Sequence, residues 1–136
     1  MAIQTRLIEY RHGTTVLEGY LAWDDSFSGP RPAVAISHQW SGRSEFECEK
    51  AERLAELGYV GFAIDMFGKG VRGSSIEENQ GLINPLLADR VALQSRINLA
   101  IDVLRQQPEV DAANVAAMGF CFGGLCVLDL ARSGCD

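Results

Sequence analysis

The sequence predicts an α/β fold: an amino-terminal hairpin, then parallel strands with helices on both faces. Two observations predict it. Three short apolar runs, Ala33–Ser37, Tyr59–Asp65 and Val115–Gly119, have the near-continuous hydrophobicity of strands covered on both faces. Between and after them apolar residues recur at helical spacing, so that beyond the hairpin the order is strand, helix, strand, helix, strand, helix. A length of 136 residues suits one domain, 1–136, and 47% hydrophobic against 22% charged residues is the balance of a chain with a core to bury.

Each element has its own signal. Ile3–Tyr10 and Val16–Trp23 alternate apolar with polar residues around a His12-Gly13 turn. Asp24–Pro32 collects Asp, Ser, Gly and Pro and reads as a loop, as does the polar segment His38–Ser44 after the first buried strand. Ser44 followed by Glu47 has the spacing of a capping box. Cys48, Ala51 and Ala55 then share one helical face, with Leu54 beside them, until Gly58 ends the helix. After Tyr59–Asp65 the stretch Phe67–Ser75 holds Gly68, Gly70 and Gly73, a loop expected on the active-site side. Ile76–Leu87 is weakly helical and interrupted by Pro85. A longer helix from Asp89 carries Leu93, Ile97, Ala100, Ile101 and Leu104 on one stripe and stops before Pro108. Val115–Gly119 is the last strand and Leu125–Ala131 the last helix.

Charge and composition exclude several classes. The formal net charge is −6 with the basic residues scattered, which argues against nucleic acid or an anionic membrane as the partner. No apolar run approaches the roughly 20 residues that span a bilayer. Met1–Tyr10 lacks the charged-then-apolar order of a signal peptide, so a cytoplasmic location is expected. Cys48, Cys121, Cys126 and Cys135 are irregularly spaced and form no C-x-x-C pair; three of them, Cys48, Cys126 and Cys135, read as small packing residues. The only histidines are His12 and His38, and neither a metal nor a cofactor is expected.

The chemistry concentrates at Gly119-Phe120-Cys121-Phe122-Gly123-Gly124. It has the spacing of a nucleophile elbow, with cysteine in the serine place and with a strand before and a helix after it. The turn forces the nucleophile into a strained backbone conformation, and Gly119 and Gly123 let strand and helix approach where a Cβ would clash. Cys121 then stands at a helix N-terminus, whose free N–H groups favour the reactive thiolate, and the Phe122 N–H is one donor for a developing oxyanion. A glycine-rich strand–helix turn can also hold a phosphate, but neither G-x-G-x-x-G nor G-x-x-x-x-G-K-[ST] is present.

This elbow, with Ser37-His38-Gln39-Trp40-Ser41-Gly42 and Leu57-Gly58-Tyr59-Val60-Gly61-Phe62-Ala63-Ile64-Asp65-Met66-Phe67-Gly68, resembles the amino-terminal portion of the dienelactone hydrolase (carboxymethylenebutenolidase) family. The resemblance implies a partial α/β-hydrolase fold, with five strands in the order 1-2-4-3-5, ending after the elbow helix. It implies Cys121 as nucleophile toward a small ester or lactone, with backbone N–H groups of Phe122 and Trp40 as oxyanion donors. Gln39 stands where many members carry a glutamate that controls the nucleophile's proton; Gln cannot accept that proton. The family's acid and histidine follow the elbow, whereas only 15 residues follow Cys121 here and none is histidine. The resemblance therefore implies a chain lacking its triad partners. His38 is left with a loop role or an activating one, and His12 with a place in the hairpin turn. Arg72, Arg90 and Arg96 are the candidates for the family's carboxylate-binding arginines.

Two consequences follow from that expectation. The last strand would have an unpaired apolar edge, open to self-association or to a missing carboxyl-terminal half. The competing reading is a non-catalytic remnant or interaction protein that uses this edge. A redox-sensing thiol is a third reading, with Cys126, five residues beyond Cys121, as a poorly placed resolving partner.

Overall fold

The computed structural model describes residues 2–136. Five strands, β1 (Ile3–His12), β2 (Thr15–Asp24), β3 (Arg31–Ser37), β4 (Val60–Ala63) and β5 (Val110–Gly119), form one sheet in the order β1-β2-β4-β3-β5. The β1–β2 hairpin is antiparallel and joins β4 antiparallel, while β3 pairs parallel with both β4 and β5. The fold class is the one the sequence predicts, and the strand order is the one the resemblance implies.

Alternation along the strands sorts the helices onto two faces. Ala33 and Ala35 of β3, Phe62 of β4 and Leu17 and Leu21 of β2 belong to the larger core. They share it with Leu93, Ile97, Ile101 and Leu104 of α3 (Arg90–Arg105) and Cys126 and Leu130 of α4 (Phe122–Arg132). Ile36 and Ala22 point the other way, onto Ala51 and Ala55 of α1 (Glu45–Glu56). Each fully buried Leu, Ile or Phe stabilises by roughly 1.5–3 kcal/mol relative to exposure, so the α3–α4 face carries most of the apolar gain.

Four boundaries differ from the sequence reading. β4 ends at Ala63, not Asp65, because the backbone beyond it is held by side chains: Asp65 Oδ1 accepts from Phe67 N and Gly68 N, each at 3.0 Å. β5 begins at Val110, five residues early; it pairs Val110 with Arg31, then shifts register. The intervening bulge is tied by Asp111, which accepts from Ala113 N (3.1 Å) and Asn114 Nδ2 (2.7 Å), and these turn-forming residues masked the strand. Helix α2 (Ile76–Ala88) runs through Pro85 uninterrupted, anchored by buried Asn79, Ile83 and Leu86; packing outweighs the proline penalty of about 3 kcal/mol. Finally, α4 starts at Phe122 instead of Leu125, taking Gly123 and Gly124 into its first turn.

Glu47 of the expected capping box accepts from Ser44 N (2.8 Å) and from the Ser44 hydroxyl (3.0 Å) through one oxygen. Its other carboxylate oxygen is buried without a partner. Among the described residues no helix is long and apolar enough to cross a membrane.

Candidate active site

The carboxyl ends of β3, β4 and β5 bring three loops together. The turn after β5 is set by sterics. Cys121 has φ +57° and ψ −116°, and among the described residues it is the one non-glycine with positive φ. Such a conformation costs on the order of 1–3 kcal/mol and persists only where its surroundings enforce it. They do. A Cβ on Gly119 would lie 2.2 Å from the backbone of Gly123, and one on Gly123 would lie 2.1 Å from Ser37 O and 2.7 Å from His38 O. The start of α4 is thus pressed directly onto the end of β3, and Phe120 N donates to Ser37 O at 3.2 Å. Cys121 is exposed. Within the first turn of α4, Gly123 N and Gly124 N donate to Phe120 O and Cys121 O. Phe122 opens the helix, so its N–H has no carbonyl one turn behind it.

The loop after β3 is set by hydrogen bonds instead. Gln39 O accepts from Gly42 N at 3.1 Å, closing a turn with Trp40 at its second position. Gln39 O also meets His38 Nδ1 at 2.7 Å, and Met66 N donates to His38 Nε2 at 2.9 Å. A carbonyl can only accept and an amide N–H can only donate, so the imidazole is neutral, with its proton on Nδ1. The ring is fully buried, between Phe67 (centroids 4.7 Å apart) and Phe122 (6.5 Å), and burial holds its pKa below the ordinary histidine value. From the other side, Gly73 N donates to Ser41 O at 3.0 Å and the Arg72 guanidinium donates to Arg43 O.

The third loop, after β4, hangs on Asp65. Besides the Phe67 and Gly68 amides, its carboxylate accepts from Glu18 N at 3.0 Å. The sequence reading counted Asp65 only as a strand end. An aspartate followed three residues later by glycine is the available signal for such a turn. Phe67, thus placed, stacks on Phe122 with centroids 5.8 Å apart. On the opposite side Phe46 of α1 meets Phe120 edge-on at 5.0 Å. Aromatic rings therefore flank the Cys121 turn on both faces, contacts between distant residues that no local sequence pattern signals.

Residues 17–136 match the dienelactone hydrolase family. The chain belongs to that family. The solved structure m3DLH superposes with a TM-score of 0.94 at 40% identity, over 98% of this chain and 56% of that one. The dienelactone hydrolase-like promiscuous phosphotriesterase P91 from metagenomic libraries gives 0.94 at 38% identity, over 99% and 56%. Dienelactone hydrolase from Anabaena variabilis gives 0.65 at 25%, over 93% and 56%. The chain thus spans just over half the length of these dienelactone hydrolase relatives.

Gln39 is half-buried, next to the carbonyl that His38 holds, and its side chain makes no hydrogen bond among the described residues. His12 lies at the end of β1, where it accepts from Arg96 Nε at 3.2 Å through Nδ1 and contacts Ser95 Oγ through Nε2. All three candidate arginines are already engaged. Arg72 bonds Arg43 O, and Arg96 bonds Met66 O at 2.8 Å. Arg90 pairs with the buried Asp129 at 2.5 Å. Asp129 also holds Arg132 at 2.8 Å, and the hydrogen bond from Arg90 is the main cause of its depressed pKa. Cys126 is wholly buried, its thiol pushed up to about 12 by burial, whereas Cys121 and Cys135 reach solvent.

Proposed function

We propose that Cys121 is the nucleophile of a dienelactone hydrolase-type site that cleaves a small ester or lactone, with the Phe122 and Trp40 amides receiving the oxyanion. The observation that supports this reading is the positive-φ backbone of Cys121: a strained non-glycine at φ +57°, held between two glycines that admit no Cβ, presents an exposed thiol at the end of β5. Thiolate attack forms a C–S bond and moves the carbonyl π pair onto oxygen; collapse of the tetrahedral centre re-forms the carbonyl, breaks the acyl C–O bond and releases the alkoxide, which takes its proton from water.

The second half of the reaction is where this chain falls short. Deacylation needs a base to activate water. Gln39 cannot take a proton, and both nitrogens of His38 and of His12 are already hydrogen-bonded. The chain should therefore acylate and stall. With p-nitrophenyl acetate, about one equivalent of nitrophenolate is expected, with an acetyl group on Cys121 by mass spectrometry and neither in Cys121→Ala. Release unaffected by Cys121→Ala would overturn the assignment. Because P91 carries the name phosphotriesterase, an aryl dialkyl phosphotriester is the second probe to run.

A second reading rests on β5, which pairs only with β3 among the described residues. Its free edge carries half-buried Val115 and Ala117 and exposed Met118, between a groove of about 200 Å³ lined by Ile101, Val127 and Leu130 and one of about 350 Å³ lined by Pro32, Val34 and Tyr59. An apolar edge of this kind takes another strand, so we place association of the chain here, with a second copy or with a carboxyl-terminal half. Light scattering that finds only monomer at high concentration would rule out the second copy.

A further inference from the structure

The oxyanion loop holds a device that the reaction itself does not require. The Gln39 carbonyl and the Trp40 N–H belong to one peptide group, planar and trans, so fixing one fixes the direction of the other. Gln39 O is met by two donors, Gly42 N at 3.1 Å and His38 Nδ1 at 2.7 Å, which between them occupy both lone pairs. The turn bond alone leaves the peptide plane free to tilt; the imidazole, arriving from the strand side, removes that freedom. Its own orientation is secured by Met66 N on Nε2 and by the rings of Phe67 and Phe122. The Trp40 N–H makes no hydrogen bond to any described residue, as an oxyanion donor in waiting should.

We propose that His38 is a positioning residue: through the Gln39 carbonyl it aims the Trp40 N–H at the oxyanion that forms when Cys121 attacks. The proposal rests on the reading of Cys121 as nucleophile and Trp40 as donor, and it adds a part that acts without touching substrate.

Two reactions of the same thiolate separate the possibilities. Acylation by p-nitrophenyl acetate creates an oxyanion before nitrophenolate leaves. Alkylation by iodoacetamide displaces iodide at a saturated carbon and creates none. In the full chain, His38→Gln presents its amide near the Nε2 position and abandons Gln39 O. It should slow acylation of Cys121 at least about tenfold, a fraction of the roughly 10²–10³ lost when an oxyanion donor is removed outright. Alkylation should stay within about twofold, because no oxyanion forms in it. His38→Asn places an amide nitrogen near the Nδ1 position and should restore acylation to within about threefold of the parent, since the donor direction is kept.

Equal rates of acylation in the parent and His38→Gln, or parallel losses in both reactions, would overturn the proposal by reducing His38 to ordinary packing. A parent that is alkylated but never acylated would instead remove the underlying reading of the elbow. Should His38→Gln fail to fold, seen as labelling of Cys48 and Cys126, the test moves to ¹⁵N spectra of the histidine-labelled parent. These are expected to show a protonated Nδ1 and a bare Nε2 on His38; the opposite tautomer would overturn the proposal.

Discussion

The two backbone segments proposed to receive the oxyanion are held by opposite means. The elbow at 119–124 is fixed by what is missing: without side chains on Gly119 and Gly123, helix and strand close to distances that leave Cys121 one conformation. The loop at 38–43 is fixed by what is present: a ring and an amide on the Gln39 carbonyl, an amide on that of Ser41 and a guanidinium on that of Arg43. Steric fixation is all or nothing, whereas fixation by several hydrogen bonds fails one bond at a time. The two segments should therefore respond to substitution on different scales.

The largest effect belongs to the elbow. Gly123→Ala puts a methyl 2.1 Å from Ser37 O, against backbone that cannot move without dismantling β3. A loss of about 3 kcal/mol or more is expected, about 10 °C in Tm by thermal melting. A melt unchanged within about 2 °C would mean that the close approach is not enforced, and the contrast between the segments would collapse.

Next comes pH, acting on the loop through His38. Burial lowers its folded pKa below the unfolded value, so its contribution is fully present above the ordinary histidine pKa and is lost as pH falls through the folded value. Across that window the unfolded chain takes up the proton first, and stability falls by at most about 1.4 kcal/mol per pH unit from this group. Denaturant melts of the parent and of His38→Asn between pH 7 and 5 should diverge, the parent losing more. Parallel curves would show that the ring is not held neutral by its surroundings.

Smaller still is the bond from Arg72 to Arg43 O, on an otherwise exposed side chain. Arg72→Ala should cost roughly 0.5–1.5 kcal/mol in the same assay, the worth of one hydrogen bond. The smallest change has the opposite sign. Cys121→Gly removes the positive-φ penalty while adding the entropy of an unfolded glycine, so a net gain of about 1 kcal/mol is expected, and Cys121→Ala, which keeps the strain, should be near neutral. A destabilised Cys121→Gly would mean that the thiol itself contributes packing.

The contrast also explains what could be read from the sequence. The fold class and the tight turn around Cys121 were legible because apolar runs and glycine spacing are local signals that record steric demands directly; the family and its strand order came through resemblance of whole motifs. The hydrogen-bonded loop was not. His38 to Met66 and Gly73 to Ser41 join residues about thirty positions apart, and no local pattern announces either bond. The β5 bulge and the helix through Pro85 were misjudged for a related reason: local turn and breaker chemistry was given more weight than the distant packing that overrides it. The engagement of Arg90 by Asp129 was equally invisible, since the partners lie 39 positions apart.

The seat of the elbow on β3 bears on the time course of folding. Phe120 N reaches Ser37 O across 83 positions, and the first turn of α4 sits against the end of β3. The local pieces, the hairpin and helices, can form early, but closing so long a loop is slow and comes late. Until then the contacts that hold Cys121 in its conformation are absent, so the strain is expected to enter after the transition state. Relieving it with Cys121→Gly should leave the refolding rate nearly unchanged and slow unfolding instead, which stopped-flow measurements would register as movement of one limb of the chevron alone.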